Sequence, residues 1–380
     1  MKRKTAITML LLVLGIMGAK ANDGVYYTAG NQLVPLAETD ISIKKEILTI
    51  SLQDDGFAHV DVFYEFFNPG NAAKKVLMGF EADPSYNDDY TFHNDGRHPH
   101  IHDFTVEMNG TRLGYKNAVC EQNTPHGVAP LDMSKYELSE YVTTVHPKDN
   151  DTLYIPFSYV YYFDATFTPG LNKIHHTYRY KLSMSVGVCY SLSYKLSPAT
   201  RWANKQIDDF TLIIKADNTA KHFVVNEKNF ADAPWTVSEG VGKQRPRKHY
   251  DDTLREFSLR NGAFTWHKEN FHPTEELQLY SADYLYSFNK DEKFGSFYDR
   301  TDLFGLDWSM DGNKFINEPK NRKKRARIAH NLPYAHRGLV FKNAEMRKYF
   351  TSLWWYMPDP SYVASQADFT AVDRKYTTFK

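Results

Sequence analysis

Net charge is absent from this 380-residue chain, in which 46 Lys and Arg balance 46 Asp and Glu. No overall field therefore draws it to nucleic acid or to a membrane surface. Cysteine is scarce as well, with two in the chain, Cys120 and Cys189. There is no G-x-S-x-G, no phosphate-binding glycine loop, no C-x-x-C and no H-E-x-x-H. Their absence does not exclude an enzyme, but it removes the usual sequence grounds for assigning one. No apolar run is long enough to cross a bilayer. Residues 6–17 would reach only ~18 Å as a helix, against an apolar bilayer core of ~30 Å.

What is present begins with that short run. Lys2, Arg3 and Lys4 precede it, and Ala19-Lys20-Ala21 follows as a small-x-small cleavage site. This is the pattern of a signal peptide over residues 1–21. Asn22 at the following position does not support lipid attachment. The expectation is an exported chain, periplasmic or extracellular, with no transmembrane segment once mature. Export bears on the cysteines. Cys120 and Cys189 could pair there, for ~4 kcal/mol on the chain-entropy model, or remain two thiols.

Aromatic residues make up 15% of the chain, with 26 Tyr and 25 Phe, which favours strands. From residue 43 to about 280 the dominant period is two. Leu48, Ile50 and Leu52 alternate with Thr49 and Ser51, and Asp54-Asp55-Gly56 turns the chain into Val60, Val62, Tyr64 and Phe66. Asn68-Pro69-Gly70 ends that run. Asn109-Gly110 between Phe104, Val106, Met108 and Leu113, Tyr115 marks a hairpin. Leu153, Ile155, Phe157, Tyr159, Tyr161 and Phe163 share a face, as do Tyr190, Leu192, Tyr194 and Leu196, with Cys189 on the opposite, polar face. The fold class expected is mainly β, one or two antiparallel β-sandwiches, with a small C-terminal α-helical domain. The β-rich part spans residues 22–290, an irregular connector 291–319, and the helical module 320–380.

The segments NDGVYYTAGNQLVPLAETDISIKKEILTISL, VDVFYEFFNPG, VLMGFEAD and YKLSPATRWANKQIDDFTLIIKA resemble a family of exported bacterial proteins, the domain-of-unknown-function family 4424. The resemblance covers most of residues 22–260. It implies an exported, strand-rich fold and no functional residues.

His93, His98, His100 and His102 crowd one stretch. On a strand, His98, His100 and His102 would point one way, neighbours ~7 Å and the outer pair ~13 Å apart. Two of them could share a metal with a third ligand from elsewhere, whereas Pro99 argues for a loop or an edge strand, and a solvated loop is the alternative. No other cofactor is implied. Paired carboxylates such as Asp54-Asp55, Asp88-Asp89, Asp208-Asp209 and Asp251-Asp252 sit mostly beside turn residues, where Asp serves the local backbone.

Residues 320–327 read KNRKKRAR, and Arg322, Lys323, Lys324, Arg325 and Arg327 are candidate contacts for an anionic partner. A solvated helix face is the alternative. Ile328, Leu332 and Ala335 then follow helical spacing, Gly338 suits a left-handed C′ position, and Asn343 can cap a second helix bearing Met346, Phe350 and Leu353. Pro333 either starts a fresh turn or kinks the first helix. Residues 329–331 and 334–338, with Phe341, Met346, Tyr349, Phe350 and residues 355–358, resemble the YARHG domain, a small helical domain of exported or membrane-associated bacterial proteins. Residues 361–380 look like its less regular tail. The signature order is reversed here to His336-Arg337, which puts any binding role of the family's Arg in doubt. Trp355 and Tyr356, beside Trp354, could stack on sugar or form the module's own core.

Together these features suggest an exported, non-catalytic cell-envelope binding or scaffold protein. Its partner would be an envelope or surface component, a protein or an anionic glycan or lipid, and not nucleic acid. The alternative is a periplasmic hydrolase, metal-dependent or otherwise, using the His98–His102 region. Mass spectrometry of the protein recovered from its bacterial envelope should show an N-terminus at Asn22. An intact Met1 would refute the cleavage site.

Overall fold

The computed structural model describes residues 33–35, 39–84, 93, 95–122, 130–139, 143–185, 188–216, 221–249, 252–282 and 322–378. The expected signal segment at 1–21 and the connector expected at 291–319 lie outside the described residues, as does the side chain of Cys189 and with it the question of its pairing with Cys120. Among the described residues no helix is long and apolar enough to cross a membrane.

Two sheets hold the β body. The smaller has six strands: β1 (Leu33–Pro35), β4 (Lys74–Ala82), β7 (Lys116–Glu121), β8 (Tyr136–Leu138), β9 (Thr144–Pro147) and β10 (Ile155–Phe167). The larger has twelve. Its first half contains β2 (Ser42–Leu52), β3 (Phe57–Asn68), β5 (Ile101–Met108), β6 (Thr111–Arg112) and β11 (Gly170–Lys181). Its second half contains β12 (Ser183–Ser185), β13 (Val188–Tyr194), β14 (Ile207–Ala216), β15 (Lys221–Asn226), β16 (Thr236–His249), β17 (Asp252–Phe271) and β18 (Leu277–Ser281). Three helices follow: α1 (Arg322–His336), α2 (Ala344–Thr351) and α3 (Ala371–Thr378). The expected class, mainly β with a small helical end, is the observed one.

Local chemistry sets the turns. Gly56 (φ +83°) closes the β2–β3 hairpin, and Asn109 (φ +51°) with Gly110 (φ +80°) closes β5–β6 in the left-handed geometry that two-residue hairpins need. The expected face of β10 is buried from Phe157 to Phe163, whereas Leu153 precedes the strand and is exposed. Between the sheets Phe80 of β4 meets Phe104 of β5 and Tyr178 of β11 at centroid distances of 5.1 Å. Such aromatic contacts add to the area buried.

Pairing is antiparallel throughout the described strands except for β14 against β2, which is parallel. That pair joins the two halves, so they share one sheet rather than forming separate sandwiches. Lys44 pairs with Asp208 at 2.6 Å and Lys45 with Asp209 at 2.7 Å across it. The Asn204 amide takes both backbone groups of Ile43. Asp208 and Asp209 are thus occupied by the sheet. Asp55 likewise pairs with Arg179 at 2.8 Å, and Asp54 with Lys221.

Strand β17 changes partners along its length. One edge pairs with β15 over residues 254–259 and with β14 over 263–271, while β16 follows the other edge. The change falls at Asn261 and Gly262, opposite a bulge at Ser238–Val241. Gly262 has φ +84°, and a Cβ there would lie 2.5 Å from the Ser238 carbonyl oxygen. Only glycine fits such a turn and such an approach.

Three histidines are buried without charge. His176 on β11 is fully buried with no hydrogen-bond partner among the described residues. Its ring lies 5.5–6.0 Å from those of Phe80, Tyr64, Phe104 and Tyr178. Burial pushes its pKa down to about 3, that of His98 to about 3 and that of His100 to about 4.

Two outcomes follow. Since all three folded pKa values lie below the unfolded value, the unfolded chain binds more protons below about pH 6.5. Stability should be unaffected above that pH and fall as pH drops toward 4, by about 2 kcal/mol for each fully buried histidine at pH 5. Urea unfolding at pH 7.5 and 5 checks this, and His176→Phe should remove about 2 kcal/mol of the difference. Gly262→Ala should cost about 1–3 kcal/mol through backbone strain, read as a lower urea midpoint.

Candidate binding surfaces

The helical module closes on its own apolar face. Ile328, Leu332 and Ala335 of α1 are buried with Met346 and Phe350 of α2 and with Trp355 and Tyr356. Helix α1 runs through Pro333 and stops at Gly338 (φ +88°). There Gly338 N–H donates to the Ala335 carbonyl and Leu339 N–H to that of Tyr334, each at 2.9 Å. This is the Schellman closure that the glycine predicts. Asn343 caps α2 by accepting from Met346 N–H at 3.1 Å.

The tail is more regular than its sequence suggests. Thr370 accepts from Asp373 N–H at 3.2 Å while Asp373 accepts from Thr370 N–H at 3.0 Å. This capping box starts α3. Arg337 completes it, donating to Asp373 at 2.7 Å, to the Pro333 carbonyl at 2.9 Å and to the Asp368 carbonyl at 3.0 Å. Its guanidinium also covers the Phe369 ring at 4.8 Å. The arginine considered for ligand contact is thereby committed to holding the tail.

The other signature residues face the β body. His336 packs on Trp355 at 5.2 Å and lies 6.2 Å from His222 of β15. Lys243 of β16 donates to the carbonyls of Trp354 (3.0 Å) and Tyr356 (2.9 Å), and Arg245 lies over the Trp354 ring at 4.3 Å. Arg260 of β17 donates to the Met357 carbonyl at 2.8 Å and pairs with Asp359 at 3.3 Å. A Cβ on Gly338 would sit 2.5 Å from that guanidinium, so one glycine serves both the helix end and the docking. Trp355 and Tyr356 are buried and present no open platform for sugar. Sequence reasoning missed Lys243, Arg245 and Arg260; the basic run of β16 was the only signal, and its partner lay over a hundred residues away in the chain.

Of the basic run, Lys323 is exposed and Arg327 pairs at the surface with Glu345 at 3.0 Å. The side chains of Arg322, Lys324 and Arg325 lie outside the described residues. No acidic residue occupies the first turn of α1.

The histidine stretch departs from the expected solvated loop. His98 and His100 are buried at 2% and 4% exposure, ahead of β5, and His102 is exposed on that strand. His98 Nε2 donates to the Asp83 carbonyl at 3.0 Å, and its Nδ1 accepts from His100 N–H at 3.1 Å. With both ring nitrogens engaged, His98 keeps no lone pair for a metal. Among the described residues no three His, Cys, Asp or Glu side chains are placed to hold one. The ligand set expected at His98, His100 and His102 is not assembled.

Beside this stretch lies a cavity of about 830 Å³ that the sequence did not announce. Ala118 and Val119 of β7 and Tyr162 of β10 line it, with residues 130–134 and 136–138 opposite. That segment is held by Leu131 N–H donating to the Val119 carbonyl at 2.8 Å. Asp132 accepts from the Ser134 hydroxyl at 2.6 Å and from its N–H at 3.2 Å. On the near side Gly96 (φ +76°) presses so close to β7 that a Cβ would lie 2.9 Å from the Ala118 backbone. This seats Asp95, itself paired with Arg97 at 2.6 Å. Asn117, Glu137 and Lys148 complete the polar lining.

No curated protein sequence matches this chain. Among solved structures, a candidate nutrient-binding protein from Legionella pneumophila aligns over 94% of this chain and 98% of its own, with 17% identity and a TM-score of 0.48. An M1 zinc metallopeptidase from Deinococcus radiodurans aligns over 61% of this chain at 8% identity and a TM-score of 0.23, and the alignment spans only 43% of that enzyme. Baculovirus P35 aligns over 65% of this chain and 98% of its own at 11% identity and a TM-score of 0.25. At these scores none establishes a shared fold or activity. The family evidence is local and lies where the helices do: residues 313–378 match the YARHG domain, and the chain carries that domain at its C-terminus.

Proposed function

We propose that this is an exported, non-catalytic binding or scaffold protein of the bacterial cell envelope, processed after Ala21. In this reading residues 22–290 form the β-rich body, related to the exported family noted above, and residues 320–380 form the module that makes the outward contact. Cys120 and Cys189 are its one candidate disulfide pair.

The observation that carries the reading is the charge at the start of α1. Four consecutive basic residues, Arg322 to Arg325, sit in a first turn that holds no acid. Cations there oppose the helix dipole, at roughly 0.3–1 kcal/mol each. They weaken the helix, so helix stability gives no reason for them. An anionic surface does, since the helix N-terminus and the side chains then attract the same partner. Most apolar and aromatic residues of the module are used in its core and in docking, which directs attention to this end for contact. The proposed partner is an anionic lipid or glycan of the envelope, or an acidic protein there. For a metal-dependent hydrolase at His98–His102, no three His, Cys, Asp or Glu side chains among the described residues are placed to hold the ion.

Cosedimentation with phosphatidylglycerol and phosphatidylcholine vesicles tests the electrostatic contact. Binding should require the anionic lipid and weaken steeply as salt shortens the screening length to about 3 Å near 1 M. A variant with Arg322, Lys323, Lys324 and Arg325 all changed to Gln should lose about 1 kcal/mol for each charge removed. Equal binding by the variant would refute the contact surface.

A further inference from the structure

We infer that Asn150, in the turn between β9 and β10, is the acceptor of an N-linked glycan on the exported chain. The inference rests on the exported location proposed above. It is independent of the anionic contact at α1, with which it shares no residue.

The acceptor pattern Asn-x-Ser/Thr, with x other than Pro, occurs twice in the chain, at Asn109-Gly110-Thr111 and at Asn150-Asp151-Thr152. Tertiary structure separates the two. Asn109 lies in the left-handed turn of the β5–β6 hairpin, with φ +51°. Its Nδ2 donates to Asn172 Oδ1 at 3.1 Å, and its Oδ1 accepts from Lys173 N–H at 2.8 Å. Both ends of that amide are thus spent on holding the hairpin to β11. Asn150 is arranged differently. Its Oδ1 accepts from Thr152 N–H at 3.1 Å and from the Thr152 hydroxyl at 2.9 Å. Two donors on one atom identify it as the oxygen and so fix which way the amide is turned. Asn150 Nδ2 makes no hydrogen bond among the described residues, and the residue is exposed. The nitrogen that would react is therefore engaged in the first pattern and open in the second.

The surroundings suit an attached sugar chain, which is bulky and needs a surface position. Every residue from Lys148 to Tyr154 is exposed. The loop is nevertheless anchored, since Lys148 N–H donates to the Lys135 carbonyl and Asn150 N–H to that of Pro147, each at 2.9 Å. Leu153 and Tyr154 follow the acceptor pattern directly and leave 51% and 58% of their surface to solvent. Tyr154 meets the ring of His146 on β9 edgewise at 6.1 Å. The first sugars on Asn150 would lie over these two side chains, with an apolar sugar face against the tyrosine ring.

The transfer uses a sugar chain activated as a diphosphate ester of a membrane lipid, and a transferase on the outer side of that membrane. Asn150 Nδ2 bonds to C1 of the first sugar while the C1–O bond breaks, and the lipid diphosphate leaves with the electron pair. One amide proton passes to a base of the transferase, and nothing is oxidised or reduced. The two hydrogen bonds from Thr152 hold the amide still for that attack.

Peptide mass spectrometry of the chain purified from its own envelope tests the site. Asn150 should carry a sugar mass increment and Asn109 none, on a chain that begins at Asn22. In the same bacterium, Asn150→Gln and Thr152→Ala should each lose the whole increment. Thr152→Ser, which keeps the hydroxyl, and Thr111→Ala, which removes the other pattern, should both retain it. Unchanged melting curves of the unglycosylated chains would establish that the variants fold. A bare Asn150 on a chain beginning at Asn22, a sugar on the Thr152 hydroxyl instead, or an increment that survives Asn150→Gln or Thr152→Ala would overturn the assignment and leave export standing. A chain still beginning at Met1 would overturn export and the glycan together, so the two failures are distinguishable.

Discussion

The parallel pairing of β14 with β2 is the constraint on which the body depends. Parallel neighbours cannot be joined by a tight turn, so the chain between them must travel through other strands first. Here Lys44 and Asp208, partners across the pair, are 164 residues apart. All of the small sheet except β1, and the β3–β11–β5 part of the large one, are made in that interval. Once β14 returns to β2, the second half extends the same sheet, and one apolar core runs through both. The ion pairs flanking the seam and the Asn204 amide fix its register. A shift of one residue would reverse every side chain of β14.

The bend in β17 has a comparable effect on the second half. Because its edge passes from β15 to β14 at Gly262, the β16–β17 ribbon presents Lys243, Arg245 and Arg260 together on the helical module. Those cations meet carbonyls at the end of the aromatic segment, an indole face and Asp359 rather than water. Glu256 and Glu227, both nearly buried, balance Arg245 and Arg255 behind that surface. Paired charges of this kind are expensive to strip of one partner, which favours one docked arrangement over loose attachment. The reversed signature pair divides accordingly: Arg337 holds the tail within the module and His336 packs at the junction with the body.

Local features were legible wherever the determining interaction lies within a few residues. The period of two exposed the strands because alternate side chains face opposite sides. Asn109-Gly110, Asp55-Gly56 and Gly338 were readable as turns because their left-handed backbone has few residue choices. The Asn343 cap was readable because few side chains can accept a hydrogen bond from a first-turn N–H. The capping box at Thr370 and Asp373 was present in the sequence too, but short helices in a polar tail carry little periodicity, and α3 went unrecognised. His98 was misjudged because a histidine next to Pro, Gly and Arg reads as exposed. It is held by Tyr161 of β10 and by Asp83 just beyond β4, both distant in the chain.

The sequence by itself determined the class of the body, the positions of its hairpins, the ends of α1 and α2, and the identity of the C-terminal domain. All of these rest on short-range sterics, spacing and capping. Only the tertiary structure decided that two halves share one sheet, that the basic strand β16 meets the module, and that Asn117 and Glu137 line one cavity. Those outcomes depend on residues far apart in the chain, and no local pattern encodes which distant partner will satisfy a given charge or acceptor.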